Sequence, residues 1–238
     1  MSSKPIIIKK RVDSFNKTIN VSGDKSISIR WVLFSSLAKG TSKAKNLLIS
    51  QDVLASIKAV KKLGVKVNFK NGICEIKGNG INGYNYRKNL TINAQNSGTL
   101  GRLILGILIN TPYPIRLIGD ESLSKRDFKR ITDPLSKFGA KFKLTNKKNL
   151  PLTIYGNNKL KPFFYKENKG SAQCKSAVMF GGMRVDGITK IQAKKSRNHT
   201  ELLCKYLKLP INVKNYKNFD EIKIKKVKRI NALNYNIP

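Results

Sequence analysis

Acidic side chains are scarce in this sequence: 13 Asp+Glu stand against 48 Lys+Arg in 238 residues, a formal net charge of +35. Cysteine is scarce too. Cys74, Cys174 and Cys204 are odd in number, far apart and form no C-x-x-C, which argues against a disulfide framework or a structural zinc and favours a reducing compartment. The single histidine, His199, has no Cys or His neighbour at ligand spacing and no candidate triad, so a structural role is expected and no metal site. Long hydrophobic runs are missing. The most apolar stretch, Leu103–Ile109, covers seven residues and follows Arg102, well short of the roughly 20 that a membrane-spanning helix needs. Met1–Asp13 has neither an apolar h-region nor an Arg/Ser-rich presequence, so no membrane partner and a cytoplasmic location are expected. With 17 Gly and 8 Pro, collagen-like and Pro/Gly low-complexity architectures are excluded. An apolar fraction of 40% suffices for a core, and roughly 150 residues per domain gives one to two domains.

The positive charge invites a nucleic-acid reading. The lysines, however, are spread from Lys4 to Lys228 and form no single block. The abundance of Lys, Asn and Ile throughout fits an AT-rich coding sequence. No RNP-type motif, C₂H₂ spacing or basic region with heptads is present, and no nucleic-acid partner is expected. A positive field also speeds the approach of small anionic substrates.

The chain repeats itself. Three segments pass from small or polar residues into an apolar stretch: Gly23–Ser26 into Trp31–Ala38, Asn96–Thr99 into Leu103–Ile109, and Gly170–Gln173 into Ala177–Met183. Anchored on Asp24, Ser97 and Ser171, they lie 73 and 74 residues apart. Each apolar stretch reads as a helix buried on most sides. After each comes a β-type run (Ala44–Ile49, Pro114–Ile118, Gly187–Ala193) and then an amphipathic helix (Asp52–Leu63, Asp127–Phe138, Asn198–Leu207). Strand pairs follow: Val65–Phe69 with Ile73–Ile76 across Asn71-Gly72, Ala140–Leu144 with Leu152–Tyr155, and Ile211–Lys214 with Glu221–Ile224. Asn-Gly favours a tight hairpin. Leading strands fit at Thr18–Val21, Leu90–Ala94 and Phe163–Lys166. The fold class is α/β (α+β), three β-α-β-α-β-β units with pseudo-threefold symmetry and the first helix of each packed inside. Such symmetry places three inner-helix starts at one end. Each start carries unpaired N–H groups and a positive dipole end, which together suit anions.

The residues at those starts have the right chemistry. Ser26 and Arg30 share one helix face four residues apart, and a hydroxyl beside a guanidinium suits phosphate. Gly98 allows close approach to the backbone. Ser171 and Gln173 offer neutral donors, while Cys174 and Lys175 read as structural or exposed. Arg126 and Arg197 stand where a strand hands over to a second helix, at equivalent repeat positions 71 residues apart.

Together these segments resemble the 5-enolpyruvylshikimate-3-phosphate synthase (3-phosphoshikimate 1-carboxyvinyltransferase) family. The matching stretches are Gly23–Arg30, Asn96–Thr99 with Arg102, Gly119–Arg126, Ser171–Ala177 and Ser196–Glu201. The resemblance runs from about Pro5 to the final residue. It implies transfer of the enolpyruvyl group of phosphoenolpyruvate to the 5-hydroxyl of shikimate-3-phosphate with release of phosphate, on the route to chorismate and aromatic amino acids, without metal or organic cofactor. It implies that Lys25 contacts both substrates near the reacting centre. Ser26, Arg30, Ser171, Ala172, Gln173 and Arg197 would bind shikimate-3-phosphate, and Gly98 and Arg126 phosphoenolpyruvate. Gln95 stands where the family usually has Gly, Leu100 where a small residue is common, and Asn198 where Asp is usual.

The family chain is close to twice as long and has two domains with the substrates in the cleft between them. The resemblance therefore implies an N-terminal half. Residues 1–22 are a strand segment and hinge belonging partly to a second domain, 23–227 the threefold-repeat substrate-binding domain, and 228–238 a hinge crossing out of it. The run Pro5–Ile8 is expected to be an unpaired strand. The carboxylates implied in proton transfer lie in the other half, so negligible turnover alone is expected, the chain being either a truncated reading frame or one half of a split protein whose partner is a separate C-terminal half. Three alternatives stand beside this reading. One is a non-catalytic remnant that binds a phosphorylated ligand. Another is a relative of UDP-N-acetylglucosamine enolpyruvyl transferase, which Lys25-Ser26 and Arg30 disfavour. The third is a nucleic-acid binder.

Overall fold

The computed structural model describes residues 7, 9–11, 14, 16–19 and 21–238. Three helices form the interior: α1 (Lys25–Leu37), α3 (Gly98–Ile107) and α6 (Ala172–Gly182). Their sequences lack a polar face, and almost every side chain is buried. Asp24, Ser97 and Ser171, the three repeat anchors, are their N-caps. Each side chain accepts from the backbone N–H three residues on, at 2.7, 3.3 and 3.3 Å respectively. Inner helices approach closely where glycine permits. A Cβ on Gly106 of α3 would lie 2.1 Å from the Ala177 carbonyl oxygen of α6. Phe34 of α1 meets Phe180 of α6 with ring centroids 4.8 Å apart.

Around this interior stand three four-stranded sheets and the outer helices α2 (Gln51–Lys62), α4 (Glu121–Ser124), α5 (Lys129–Ser136) and α7 (His199–Tyr206). The strands are β1 (Lys39–Lys45), β2 (Lys66–Lys70), β3 (Ile73–Asn79), β4 (Leu90–Asn93), β5 (Ile115–Ile118), β6 (Lys141–Thr145), β7 (Asn149–Tyr155), β8 (Phe164–Glu167), β9 (Ile188–Lys194), β10 (Ile211–Asn215), β11 (Phe219–Lys225) and β12 (Tyr235–Asn236). The spatial orders are β12-β1-β3-β2, β4-β5-β7-β6 and β8-β9-β11-β10. Each sheet opens with one parallel pair and continues antiparallel. The threefold unit expected from the sequence is therefore present. Asn71 and Gly72 both take positive φ, 49° and 72°, as a primed hairpin turn requires.

Three expectations are corrected. The strand expected at Ala44–Ile49 lies earlier, as β1, because Asn46 turns left-handed at φ 54° and ends it. Its inward positions include Ser42, whose hydroxyl accepts from Leu233 N–H at 2.9 Å, so hydrophobic alternation could not reveal it. The helix expected at Asp127–Phe138 is the shorter α5, Lys129–Ser136; it holds Pro134, which withholds the bond to the Arg130 carbonyl, and α4 is a separate turn before it. The leading strand expected at Thr18–Val21 is absent at Thr18, Ile19 and Val21, and Asn20 lies outside the described residues. Its place beside β1 is taken by β12 from the far end of the chain, in parallel, with Ala44 opposite Tyr235. Residues 228–238 pack against this domain, with Ile230, Leu233 and Ile237 buried. Trp31 Nε1 donates to the Leu233 carbonyl at 3.2 Å. Of the Pro5–Ile8 run only Ile7 is among the described residues, and it is exposed.

Candidate functional site

The site lies at the starts of α1, α3, α6 and α7 and consists of two hydrogen-bonded clusters sharing α6. The first is centred on Arg30, which is 2% exposed. Its Nη1 donates to Ser26 Oγ at 2.5 Å and to the Ser26 carbonyl at 3.0 Å. Its Nε donates to Thr200 Oγ1 at 2.7 Å and its Nη2 to Ser176 Oγ at 3.1 Å. Thr200 and Ser176 are themselves 2.7 Å apart. Burial lowers the Arg30 pKa to about 10, with Glu201 acting against the shift and Arg197 adding to it. The guanidinium therefore stays charged at neutral pH, held by neutral hydroxyls instead of a carboxylate.

The second cluster is centred on Arg102. Its Nη1 donates to Gln173 Oε1 at 2.6 Å, and Gln173 Nε2 donates to Thr99 Oγ1 at 3.0 Å. The guanidinium carbon lies 5.5 Å from the Phe128 ring centroid. Arg126 Nη2 donates to Asn96 Oδ1 at 3.3 Å, and Asn96 Nδ2 to Asp120 Oδ2 at 2.7 Å. Gly98 separates the two arginines: a Cβ there would lie 2.8 Å from Arg102 Nη1 and 3.1 Å from Arg126 Nη1. Its lack of a side chain thus makes room for two guanidinium ends beside the α3 start. Gln95, in the preceding loop, takes φ 51°, a left-handed conformation that glycine adopts at no steric cost. Leu100 is fully buried behind Ser97.

Of the sequence-predicted residues, Ser26 and Arg30 form the first cluster, and Gly98, Arg126 and Gln173 the second. Ser171 and Ala172 begin α6 between them. Lys25 is exposed at the first position of α1, and its Nζ is 3.6 Å from Asp52 Oδ2. Arg197 is exposed just before α7; among the described residues it makes no hydrogen bond or ion pair, though its charge acts on Arg30 and His199. His199 starts α7 with Nδ1 3.7 Å from Asp24 Oδ1, and burial followed by Arg30 depresses its pKa, leaving it neutral at pH 7. Asn198 occupies the α7 N-cap position but makes no capping bond.

Sequence reasoning missed Arg102, Thr200 and Ser176 as site residues. The i+4 spacing of Gly98 and Arg102, matching Ser26 and Arg30, was the available signal for the first. Lys175, expected as structural or exposed, is structural. It is fully buried one residue before Ser176, and its Nζ lies 2.6 Å from Glu201 Oε1. Among the described residues no group of three or more His, Cys, Asp or Glu could hold a metal ion, and no helix is long and apolar enough to cross a membrane.

Three capped helix starts have Lys25, Arg30, Arg102, Arg126 and Arg197 at or near them, and helix N-termini beside cationic side chains suit anions. Residues 9–238 match the family model described as EPSP synthase (3-phosphoshikimate 1-carboxyvinyltransferase). A 3-phosphoshikimate 1-carboxyvinyltransferase of Streptococcus suis is 42% identical over 196 residues, covering 82% of this chain and 46% of the relative. One from Bacillus cytotoxicus is 39% identical over 198 residues, again 82% of this chain and 46% of the relative. The solved EPSP synthase from Acinetobacter baumannii superimposes with a TM-score of 0.85 at 32% identity, over 92% of this chain and 50% of that one. The chain thus spans about half the length of the relatives it matches.

Proposed function

The chain belongs to the EPSP synthase (3-phosphoshikimate 1-carboxyvinyltransferase) family, and we propose that it supplies the substrate-binding half of that enzyme's reaction. In this reading shikimate-3-phosphate lies against Ser26, Arg30, Ser171, Ala172, Gln173 and Arg197. Phosphoenolpyruvate lies beside Gly98 and Arg126, within reach of Arg102. The enolpyruvyl group passes to the 5-hydroxyl oxygen, the hydroxyl proton is lost, and the carbon–oxygen bond to phosphate breaks. Lys25, the exposed cation at the start of α1, stabilises charge that develops at the reacting centre. No metal or organic cofactor takes part, and the location is cytoplasmic.

The observation that carries the binding assignment is Arg30, buried with its charge intact and directed by Ser26, Ser176 and Thr200. A fixed fork of donors beside a capped helix start favours a phosphate or carboxylate oxygen. Residues 23–227 form the substrate-binding domain. Turnover requires the remaining length that the relatives have, either as a continuation or as a separate C-terminal half, because closing the cleft excludes water and completes the set of proton-transfer groups.

Calorimetric titration of the 238-residue chain with shikimate-3-phosphate tests the binding half. Saturable binding that weakens at least about tenfold, or roughly 1.4 kcal/mol, in Arg30→Ala is expected. No heat from a folded sample overturns the assignment. Phosphate release by the chain alone is expected to be negligible, and turnover at the level of a whole family enzyme would overturn the need for a second half.

A further inference from the structure

The opposite end of α6 holds a second cationic site. Arg184 follows the α6 C-cap, Met183, which lies about 18 Å along the helix from Ser171 at 1.5 Å per residue. It is 8% exposed. Its Nη1 donates to the Ile81 carbonyl oxygen and, at 3.3 Å, to Asn82 Oδ1. Its Nη2 is buried and has no partner among the described residues. Arg184 lines a cavity of about 310 Å³ with Asn82, Asn110, Asn158, Asp186 and Lys226. Asn110 also lines the cavity, and its Oδ1 is buried without a partner among the described residues.

The charge balance of this cavity is incomplete. Among the described residues Arg184 forms no ion pair. Asp186 is committed to Lys226, with Oδ2 2.7 Å from Nζ. The titratable neighbours that act on Arg184 are Tyr86 and Tyr84, both phenols whose pKa burial raises, so neither offers a negative charge at neutral pH. The carbonyl end of α6 and the Ile81 oxygen provide only partial charges. A buried cation without a full countercharge is costly, and buried donors and acceptors are rarely left unmet. The cavity is also roomy, since one water occupies about 30 Å³ of the liquid.

From this juxtaposition we propose that the cavity binds a small oxyanion that also carries a hydroxyl, a hydrogen phosphate or a 2-hydroxycarboxylate. The anionic oxygen accepts from Arg184 Nη2 and the ligand's O–H donates to Asn110 Oδ1, while the Lys226–Asp186 pair, neutral overall, leaves Arg184 as the uncompensated charge. Nothing in this site depends on the shikimate-3-phosphate assignment, because it shares no residue with that pocket.

Backbone-amide NMR of the ¹⁵N-labelled chain reads the two ends of α6 separately. Inorganic phosphate, lactate and acetate are the probes. Phosphate and lactate are expected to shift the amides of Asn82, Asn110, Val185 and Asp186 along one saturable curve, and acetate, without a hydroxyl, to do so at least several-fold more weakly. Arg184→Met is expected to abolish that response while leaving any phosphate response at Asp24–Ile27 and Ser171–Cys174 unchanged. Asn110→Asp, which puts a carboxylate in the cavity, is expected to abolish it in a folded protein and to raise the melting temperature without added anion. The proposal is overturned if these amides stay still with every probe, as when water alone fills the cavity. It is equally overturned if their shifts persist in either variant, or if acetate matches lactate.

Discussion

Lys175 Nζ lies 2.6 Å from Glu201 Oε1, and solvent reaches 0% and 4% of the two side chains. The pair ties α6 to α7 one residue away from the Ser176–Thr200 contact that holds Arg30. It thus fixes the angle at which two helix starts present their residues to the pocket. Glu201 also raises the Arg30 pKa against the effect of burial.

Breaking this pair from one side leaves a buried charge alone. Glu201→Gln is expected to cost about 3–5 kcal/mol in urea unfolding. The double change Lys175→Met/Glu201→Leu removes both charges and is expected to recover most of that loss. A double variant as unstable as the single one would show that shape, not charge, sets the cost.

Acid is expected to weaken the fold through His199. Burial and Arg30 hold its folded pKa below the ordinary histidine value of 6.5. In the window between the depressed folded value and 6.5 the unfolded chain binds more protons. Its contribution is therefore complete above 6.5 and is lost as pH falls through the folded pKa. His199→Gln is expected to flatten the pH dependence of stability in that window. Superimposable melting temperature–pH curves for the two proteins would refute this.

Two glycines of α3 respond oppositely to alanine. At Gly106 the new methyl meets the Ala177 backbone at 2.1 Å, which cannot yield without moving α6. A loss of about 1–3 kcal/mol is expected from such overpacking. At Gly98 the new methyl meets only the mobile ends of Arg102 and Arg126. Stability is expected to hold or rise by up to about 1 kcal/mol, while phosphoenolpyruvate affinity falls. Chemical denaturation of both variants, with calorimetry on Gly98→Ala, checks the contrast.

Gln95 sits left-handed at φ 51°. A non-glycine residue costs about 1–2 kcal/mol in that region, offset in part by the greater freedom glycine has when unfolded. Gln95→Gly is expected to raise stability by under about 1 kcal/mol. A fall in melting temperature would show that the Gln95 side chain contributes contacts that outweigh the strain.

Much of this was legible in the sequence. The repeat anchors Asp24, Ser97 and Ser171 proved to be the three N-caps, because a capping residue and the apolar run it precedes are both local signals. Ser26, Arg30, Gly98 and Gln173 could be singled out for the same reason: they lie within two turns of those starts. What the sequence hid was contact between distant segments. Lys175 looks like one more lysine among many until Glu201 is placed against it. Ser42 carries no hydrophobic signal for β1, since its partner Leu233 is 191 residues away. The first sheet borrows its opening strand from the chain's far end, and two residues of pairing at Tyr235 and Asn236 are too short to register as a pattern.

That borrowed strand has a topological consequence. Asn46 Nδ2 donates both to the Val21 carbonyl at 3.4 Å and to the Ile237 carbonyl at 3.0 Å, and Asp24 N–H donates to the Pro238 carbonyl at 2.7 Å. Polypeptide arriving at the threefold body and polypeptide leaving it therefore run side by side, clasped by one amide next to the start of α1. A body tethered in this way can be spliced into a longer chain as a cassette, and anything joined beyond Pro238 starts within a few residues' reach of Lys25.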